Sequence, residues 1–161
     1  MTSRLPYVLI FLALSVSGFS QTDILVKNQT GASVQSSLDL DITEGGSVYV
    51  VGSTFGQATF GNGVSVTGLG YDMYLVKYNG QGLAQWAQRG GSTSWADKGA
   101  SVDVGPYGEL YVGGHIFGAA TFGNLNITAD AQRGAYVAKY DTNGTAMWVE
   151  QQATDGQASD F

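Results

Sequence analysis

Apolar and polar residues alternate along most of the chain in short runs with a period of two, each closed by turn residues. That is the pattern of β-strands joined by tight turns. The first run is Ser37-Leu38-Asp39-Leu40-Asp41-Ile42, followed by the turn Thr43-Glu44-Gly45-Gly46. A second run, Val48 to Phe55, is apolar on both faces, as expected of an inner strand covered on two sides. A third, Met73 to Tyr78, turns through Asn79-Gly80-Gln81-Gly82 into a fourth, Leu83 to Gln88. No window beyond the first twenty residues keeps an apolar period of 3.6, so helices are not expected there.

The same four runs occur twice. Tyr49-Val50-Val51-Gly52-Ser53-Thr54-Phe55-Gly56-Gln57-Ala58-Thr59-Phe60-Gly61-Asn62 returns 62 residues later as Tyr111-Val112-Gly113-Gly114-His115-Ile116-Phe117-Gly118-Ala119-Ala120-Thr121-Phe122-Gly123-Asn124. Tyr74, Lys77, Tyr78, Gly82, Ala84 and Trp86 meet Tyr136, Lys139, Tyr140, Gly144, Ala146 and Trp148 at the same offset. Between Asp41–Trp86 and Asp103–Trp148, 18 of 46 positions are identical without a gap, which marks a duplication. The copies of the four runs are Ala100–Val104, Leu110–Phe117, Ala135–Tyr140 and Thr145–Gln151, and the shared glycines Gly46 and Gly108 fit positive-φ positions closing hairpins.

This register divides the chain into a first repeat at 36–97, a second at 98–159 and the opening of a third at 160–161. The segment 21–35 carries one orphan strand, Asp23-Ile24-Leu25-Val26-Lys27, because Ile24 falls 62 residues before Trp86. Four antiparallel strands per unit, apolar on both faces, is the pattern of a β-propeller blade. The expected fold is all-β: two full blades, each a four-stranded antiparallel meander, with partial strands at both ends. The orphan strand is then the outer strand that closes a ring. Further blades are expected in cis, in a longer chain, or in trans by oligomerisation.

Residues 1–20 read as an export signal. Arg4 supplies the positive charge, Leu5 to Ala13 an apolar run too short to span a bilayer, and Gly18 and Ser20 the small residues for cleavage before Gln21. Composition narrows the chemistry. The chain has 24 glycines, no cysteine, a single histidine and a formal net charge of −6. It therefore holds no disulfide scaffold and no thiol nucleophile, and it is a poor partner for nucleic acid.

Gly108-Glu109-Leu110-Tyr111-Val112-Gly113-Gly114, Phe117 to Gly123, and Tyr136-Val137-Ala138-Lys139-Tyr140-Asp141-Thr142-Asn143-Gly144-Thr145-Ala146-Met147-Trp148 resemble the bacterial seven-bladed β-propeller repeat (SBBP) family. The likeness runs over nearly all of Asp23 to Phe161. Two features depart from the family pattern: Asn79-Gly80-Gln81-Gly82 replaces an Asp-containing turn, and the first unit lacks the Gly-Gly-x-x-x-Asp approach that Gly90-Gly91 ahead of Asp97 comes closer to. The resemblance implies an exported or surface-associated, non-catalytic protein. It transfers no catalytic, cofactor or metal residue.

His115 has Ser53 as its counterpart and no second histidine to complete a site. Asp39, Asp41, Asp103 and Glu44 suit either a calcium seat or, more simply, turn and strand-end hydrogen bonds. Lys77 and Lys139 read as stems laid on apolar neighbours, and Trp86 and Trp148 as packing between units. Gly56, Gly61, Gly118 and Gly123 read as turn glycines, and Asn28, Asn126 and Asn143 head formal glycosylation sequons.

The function expected is an exported, non-catalytic repeat scaffold that presents loops for protein or carbohydrate contact, without a cofactor. The alternative is part of a secreted propeller enzyme acting on glycans, with its catalytic residues outside this chain. Localisation is expected to be secreted or at the outer cell surface, with no membrane span after signal cleavage. N-terminal sequencing of the secreted protein is expected to start at Gln21; a product that retains Met1 contradicts the signal.

Overall fold

The computed structural model of the chain describes residues 35–93, 96–129 and 134–152. Among them the fold is all-β and contains no helix. Ten strands follow in order: β1 (Gln35–Ile42), β2 (Val48–Gly61), β3 (Val64–Tyr78), β4 (Ala84–Gly91), β5 (Lys98–Val104), β6 (Leu110–Ile116), β7 (Ala119–Phe122), β8 (Leu125–Thr128), β9 (Gly134–Tyr140) and β10 (Ala146–Gln151). They form two open antiparallel sheets. One has the order β1-β2-β3-β4-β7-β8, the other β10-β9-β6-β5. The expected signal at 1–20, all of the 21–35 segment except Gln35, and the 160–161 stub lie outside the described residues. No helix among the described residues is long and apolar enough to cross a membrane.

The two units pair their strands alike. Tyr49 stands opposite Lys77 on β2 and β3, and Tyr111 opposite Lys139 on β6 and β9. Four turns of one kind join the strands: Gly46, Gly82, Gly108 and Gly144 each donate to the carbonyl three residues earlier, at 2.9–3.0 Å, with φ of 71–84°. Only glycine adopts that φ without strain, so the shared glycines set the hairpins. The turn departure at Asn79 changes no geometry. Asn79 Oδ1 accepts from the N–H groups of Gln81 and Leu83, as Asp141 Oδ1 does from Asn143 and Thr145.

The strands run further than the apolar runs: β2 passes Phe55 to end at Gly61, and β3 begins at Val64, well ahead of Met73. Leu125–Thr128, between the second and third runs of the second unit, is strand β8. Gly56, at φ 78°, produces a register shift between Phe55 and Gln57 that hides the continuation in the sequence pattern. The hairpin beyond it is closed differently in each unit. Asn62 and Gly63 both have positive φ, 52° and 75°, the type I′ arrangement, whereas in the equally long turn Gly123-Asn124 only Gly123, at 59°, does.

This second-unit hairpin crosses the repeat boundary. Rather than extending its own sheet, β7 pairs with β4 of the first unit, Gly90 opposite Phe122 and Gly91 opposite Thr121. A Cβ at Gly90 would come within 2.5 Å of the Phe122 ring, so the ring lies directly on glycine backbone. The two units are therefore joined by ladder hydrogen bonds as well as by packing.

Side chains leave the inner strands alternately to two cores, as a strand's period of two requires. Tyr49, Val51, Met73 and Leu75 point to one face and pack with Val102, Leu110, Val112, Ile116, Phe122, Tyr136 and Tyr140 of the second unit. Val48, Val50, Tyr74, Val76 and Tyr78 point to the other face, with Ala58, Phe60 and Val66. Val66 apart, these are the counterparts of second-unit residues that fill the shared core. Phe60 on Tyr74 at 4.9 Å, for instance, matches Phe122 on Tyr136 at 4.7 Å. Each such side chain stabilises by about 1.5–3 kcal/mol when fully buried.

Burial also raises the pKa of three of these tyrosines. The hydroxyls of Tyr136, Tyr140 and Tyr78 are pushed above the ordinary 10.0, chiefly by desolvation, with neighbouring Tyr140 adding at Tyr136 and Tyr74 at Tyr78. A raised folded-state pKa means that the unfolded chain ionises first. Stability is thus complete below about pH 10 and falls as pH rises further. Thermal melts from pH 8 to 12 are expected to be flat up to about pH 10 and then to drop. The Tyr140 hydroxyl is buried without a hydrogen-bond partner, so Tyr140→Phe is expected to match the parent at neutral pH and to reduce the alkaline loss.

Candidate functional site

Four aspartates form a seam of carboxylates along and across the two units. On β1, Asp39 accepts the N–H of Leu40 on one oxygen and that of Val102, on β5, on the other at 3.0 Å. Asp41 repeats this with Ile42 and Val104, both at 2.7 Å. The first and second units are thus stitched side chain to backbone along their facing strands. At the far end of the sheet, Asp72 is wholly buried. Its Oδ2 accepts from the N–H groups of Leu69 (2.6 Å) and Gly70 (3.2 Å), and its Oδ1 pairs with Arg89 at 2.8 Å. Asp97, also wholly buried, accepts from Ser92 N–H and Ser92 Oγ on Oδ2 and from Phe117 N–H on Oδ1 at 2.7 Å. Gly91 lies between these two carboxylates. A Cβ there would come within 2.3 Å of Asp72 Oδ1 and 3.0 Å of Asp97 Oδ2.

Every oxygen of these four carboxylates is engaged by an N–H, an O–H or a guanidinium. They act as structural acceptors that satisfy buried backbone donors. The Gly90-Gly91 pair ahead of Asp97 has a physical reason here. Gly90 admits the Phe122 ring, Gly91 admits two carboxylates, and Asp97 closes the crossover into β5.

Asp72 also fixes a surface. By holding the N–H groups of Leu69 and Gly70 it clamps the bend ahead of the inner half of β3. On that bend Leu69 is 66% exposed; nearby, Phe55 is 45% exposed and tilted against Tyr71 at 5.1 Å between ring centroids. The result is an apolar, aromatic patch held on a rigid backbone. A second set lies on the outer face of the β5-β6-β9-β10 sheet, with Trp148 exposed and Tyr111, Lys139 and Glu109 half-buried. Trp148 stands 6.2 Å from Tyr111, and Lys139 sits over the Tyr111 ring at 5.1 Å while pairing with Glu109 at 3.4 Å. Backbone N–H groups at Glu109 and Tyr107, and then Lys139, hold the Glu109 carboxyl below its ordinary range. A hydrogen bond with Tyr111, followed by Glu109, raises the Lys139 ammonium.

The residues singled out in the sequence fall as follows. His115 is part-buried on β6, edge-on to Phe117 at 6.0 Å. Asp103 and Glu44 are exposed, and among the described residues no three His, Cys, Asp or Glu side chains form a metal-binding group. Lys77 reaches the Thr142 carbonyl of the second unit at 3.4 Å and lies over Tyr49 at 5.4 Å, so its charge rests on a ring rather than simply in water. Trp86 packs between units, over Gly144, while Trp148 does not. Asn126 and Asn143 are exposed; Asn28 lies outside the described residues. Asp72 and Arg89 were not singled out. The only signal for them was an aspartate following Gly68-Leu69-Gly70, a spacing that lets a carboxylate reach back to preceding N–H groups.

No family model matches the chain, and no curated protein matches it.

Replacing Asp97 by alanine removes the acceptor of two backbone N–H groups and one hydroxyl in a buried place. The expected loss is about 2–5 kcal/mol, with a lowered melting temperature, and Asp97→Asn is expected to retain part of it. A melting temperature unchanged in Asp97→Ala contradicts the structural role.

Proposed function

We propose that this is an exported, non-catalytic scaffold built of β-propeller repeats of the SBBP type, which presents loops for contact with proteins or carbohydrates outside the cell. The observation that carries the reading is a division of labour within the repeat. Positions facing the cores recur residue by residue: Val48 and Leu110, Tyr74 and Tyr136, Tyr78 and Tyr140. The bend at 68–71 has no such likeness to its counterpart 130–133, yet it is tied down by buried Asp72 and carries exposed Leu69 beside Phe55 and Tyr71. Variable surface on a fixed frame is how binding modules are built. An aromatic face that is already rigid loses little entropy on contact, which suits a sugar ring or an apolar side chain.

The charged groups fit the same reading. Asp39, Asp41, Asp72 and Asp97, whose oxygens are all engaged, hold structure. Export is supported by the leader-like sequence of residues 1–20.

The test is a binding screen of the full chain against surface polysaccharides and envelope proteins, repeated with Phe55→Ser/Leu69→Ser. Both side chains are already exposed, so the variant is expected to melt within about 1 kcal/mol of the parent and to lose at least tenfold in affinity for whatever the parent binds. A parent with no binder, or a variant that binds as well, overturns the proposal.

A further inference from the structure

An asparagine followed by glycine readily loses its side-chain amide, because no side chain shields the glycine nitrogen that attacks it. The chain has three such steps: Asn62-Gly63, Asn79-Gly80 and Asn143-Gly144. All three stand in turns among the described residues, and the fold treats each differently. The reaction requires the glycine nitrogen to reach the asparagine Cγ. It is faster where donors stabilise the negative charge that then develops on the amide oxygen.

At Asn62 the carboxamide is held elsewhere. Its Nδ2 donates to the Ala84 carbonyl at 3.0 Å, which draws the side chain across to β4. At Asn143 the attacking group is itself engaged. The Gly144 N–H donates to the Asp141 carbonyl at 3.0 Å, and Gly144 is buried beneath Trp86.

Asn79 has neither restraint. No acceptor among the described residues takes the Gly80 N–H, and the turn is open to water. The carboxamide folds back over the Gly80 peptide, with Oδ1 accepting from the N–H groups of Gln81 at 3.0 Å and Leu83 at 2.9 Å. Two backbone donors at that distance on one oxygen are the arrangement that stabilises a tetrahedral oxyanion. The product has its counterpart 62 residues on. Asp141 Oδ1 accepts from Asn143 and Thr145 at 2.9 and 2.8 Å, so an aspartate at 79 keeps both bonds and gains the strength of charge.

We propose that Asn79-Gly80 is a self-modification site, at which the turn of the first unit converts to the aspartate form that the second unit already carries. Gly80 N bonds to Asn79 Cγ and gives up its proton to solvent. The Cγ–Nδ2 bond then breaks, and Nδ2 takes a proton from water and leaves as ammonia. Water adds to the resulting cyclic imide and cleaves the new Cγ–N bond, which restores the main chain and leaves a carboxylate on residue 79. Water is the one co-reactant, and nothing is oxidised or reduced. Cleavage at the main-chain carbonyl would instead give isoaspartate and remove the carbonyl to which Gly82 N–H donates at 2.9 Å, so the folded turn favours aspartate. The site is independent of whatever the surface binds.

Peptide mapping by mass spectrometry of the full chain, kept in mildly alkaline buffer, reads the conversion residue by residue. In the native chain the amide-to-acid mass gain is expected to be at least about tenfold faster at Asn79 than at Asn62 or Asn143. In urea, where the turns are lost, the three steps are expected to react at similar rates. An isoaspartate-specific methyltransferase is expected to label only a minority of the native product. Gly80→Ala is expected to slow the conversion about tenfold with the fold retained, because a Cβ there meets only the Gly46 carbonyl, at an ordinary 3.6 Å. Asn79→Asp is expected to melt no lower than the unreacted chain. A native chain in which Asn79 reacts no faster than Asn62 or Asn143 overturns the proposal, and so does a native product that is mostly isoaspartate.

Discussion

A sheet whose inner strands send Tyr49, Val51, Met73 and Leu75 to one side and Val48, Val50, Tyr74 and Val76 to the other has no face that can be left in water. Everything else in the fold answers that constraint. With hydrophobic residues on both sides, one unit cannot bury itself, and its stability is inseparable from whatever lies against it. Here one side is covered by the second unit, and the fit is close enough that glycine is required where the two sheets approach. Gly99 under Val51, Gly90 under Phe122 and Gly144 under Trp86 are places where any side chain would collide. Conserving volume across such a contact matters more than the identity of either partner.

Bringing two sheets face to face creates a second difficulty, that of the backbone donors trapped between them. The aspartates resolve it. Asp39 and Asp41 turn outward from β1 to take the N–H groups of Val102 and Val104, and Asp97 takes those at the crossover between units. The same residues that give the first strand its polar alternation thus become the joint's polar half. Asp72 extends this to the surface, where a buried carboxylate immobilises a bend and the aromatic patch around it. Rigidity of the frame and rigidity of the exposed bend in β3 have one cause.

Much of this was legible in the residues. A period of two, glycine at fixed turn positions and an exact offset of 62 fixed the strands and their copies. Apolar residues on successive positions, such as Val48 to Val51, marked a sheet covered on two sides. What escaped notice was of two kinds. The continuation of β2 past Gly56 was hidden because a bulge breaks the alternation that identifies a strand. The pairing of β7 with β4 of the other unit was hidden because ladder partners distant in sequence leave no local pattern. The aspartates were visible as residues, yet their partners are backbone N–H groups, which look the same at every position. The exposed patch was invisible for a related reason: Phe55 and Leu69 read as ordinary apolar residues until the fold shows them facing water.

The central claim is that the two units form one cooperative structure through a shared core. Residue-resolved native-state hydrogen exchange tests it most directly, by comparing amides deep in the first unit, such as Val76, with those in the second, such as Ala138, and with Val102 and Val104 at the joint. The account predicts that all of them exchange through one global opening, with the same free energy and the same denaturant dependence. Exchange of either unit through a separate opening of lower free energy, while the other stays closed, would contradict it.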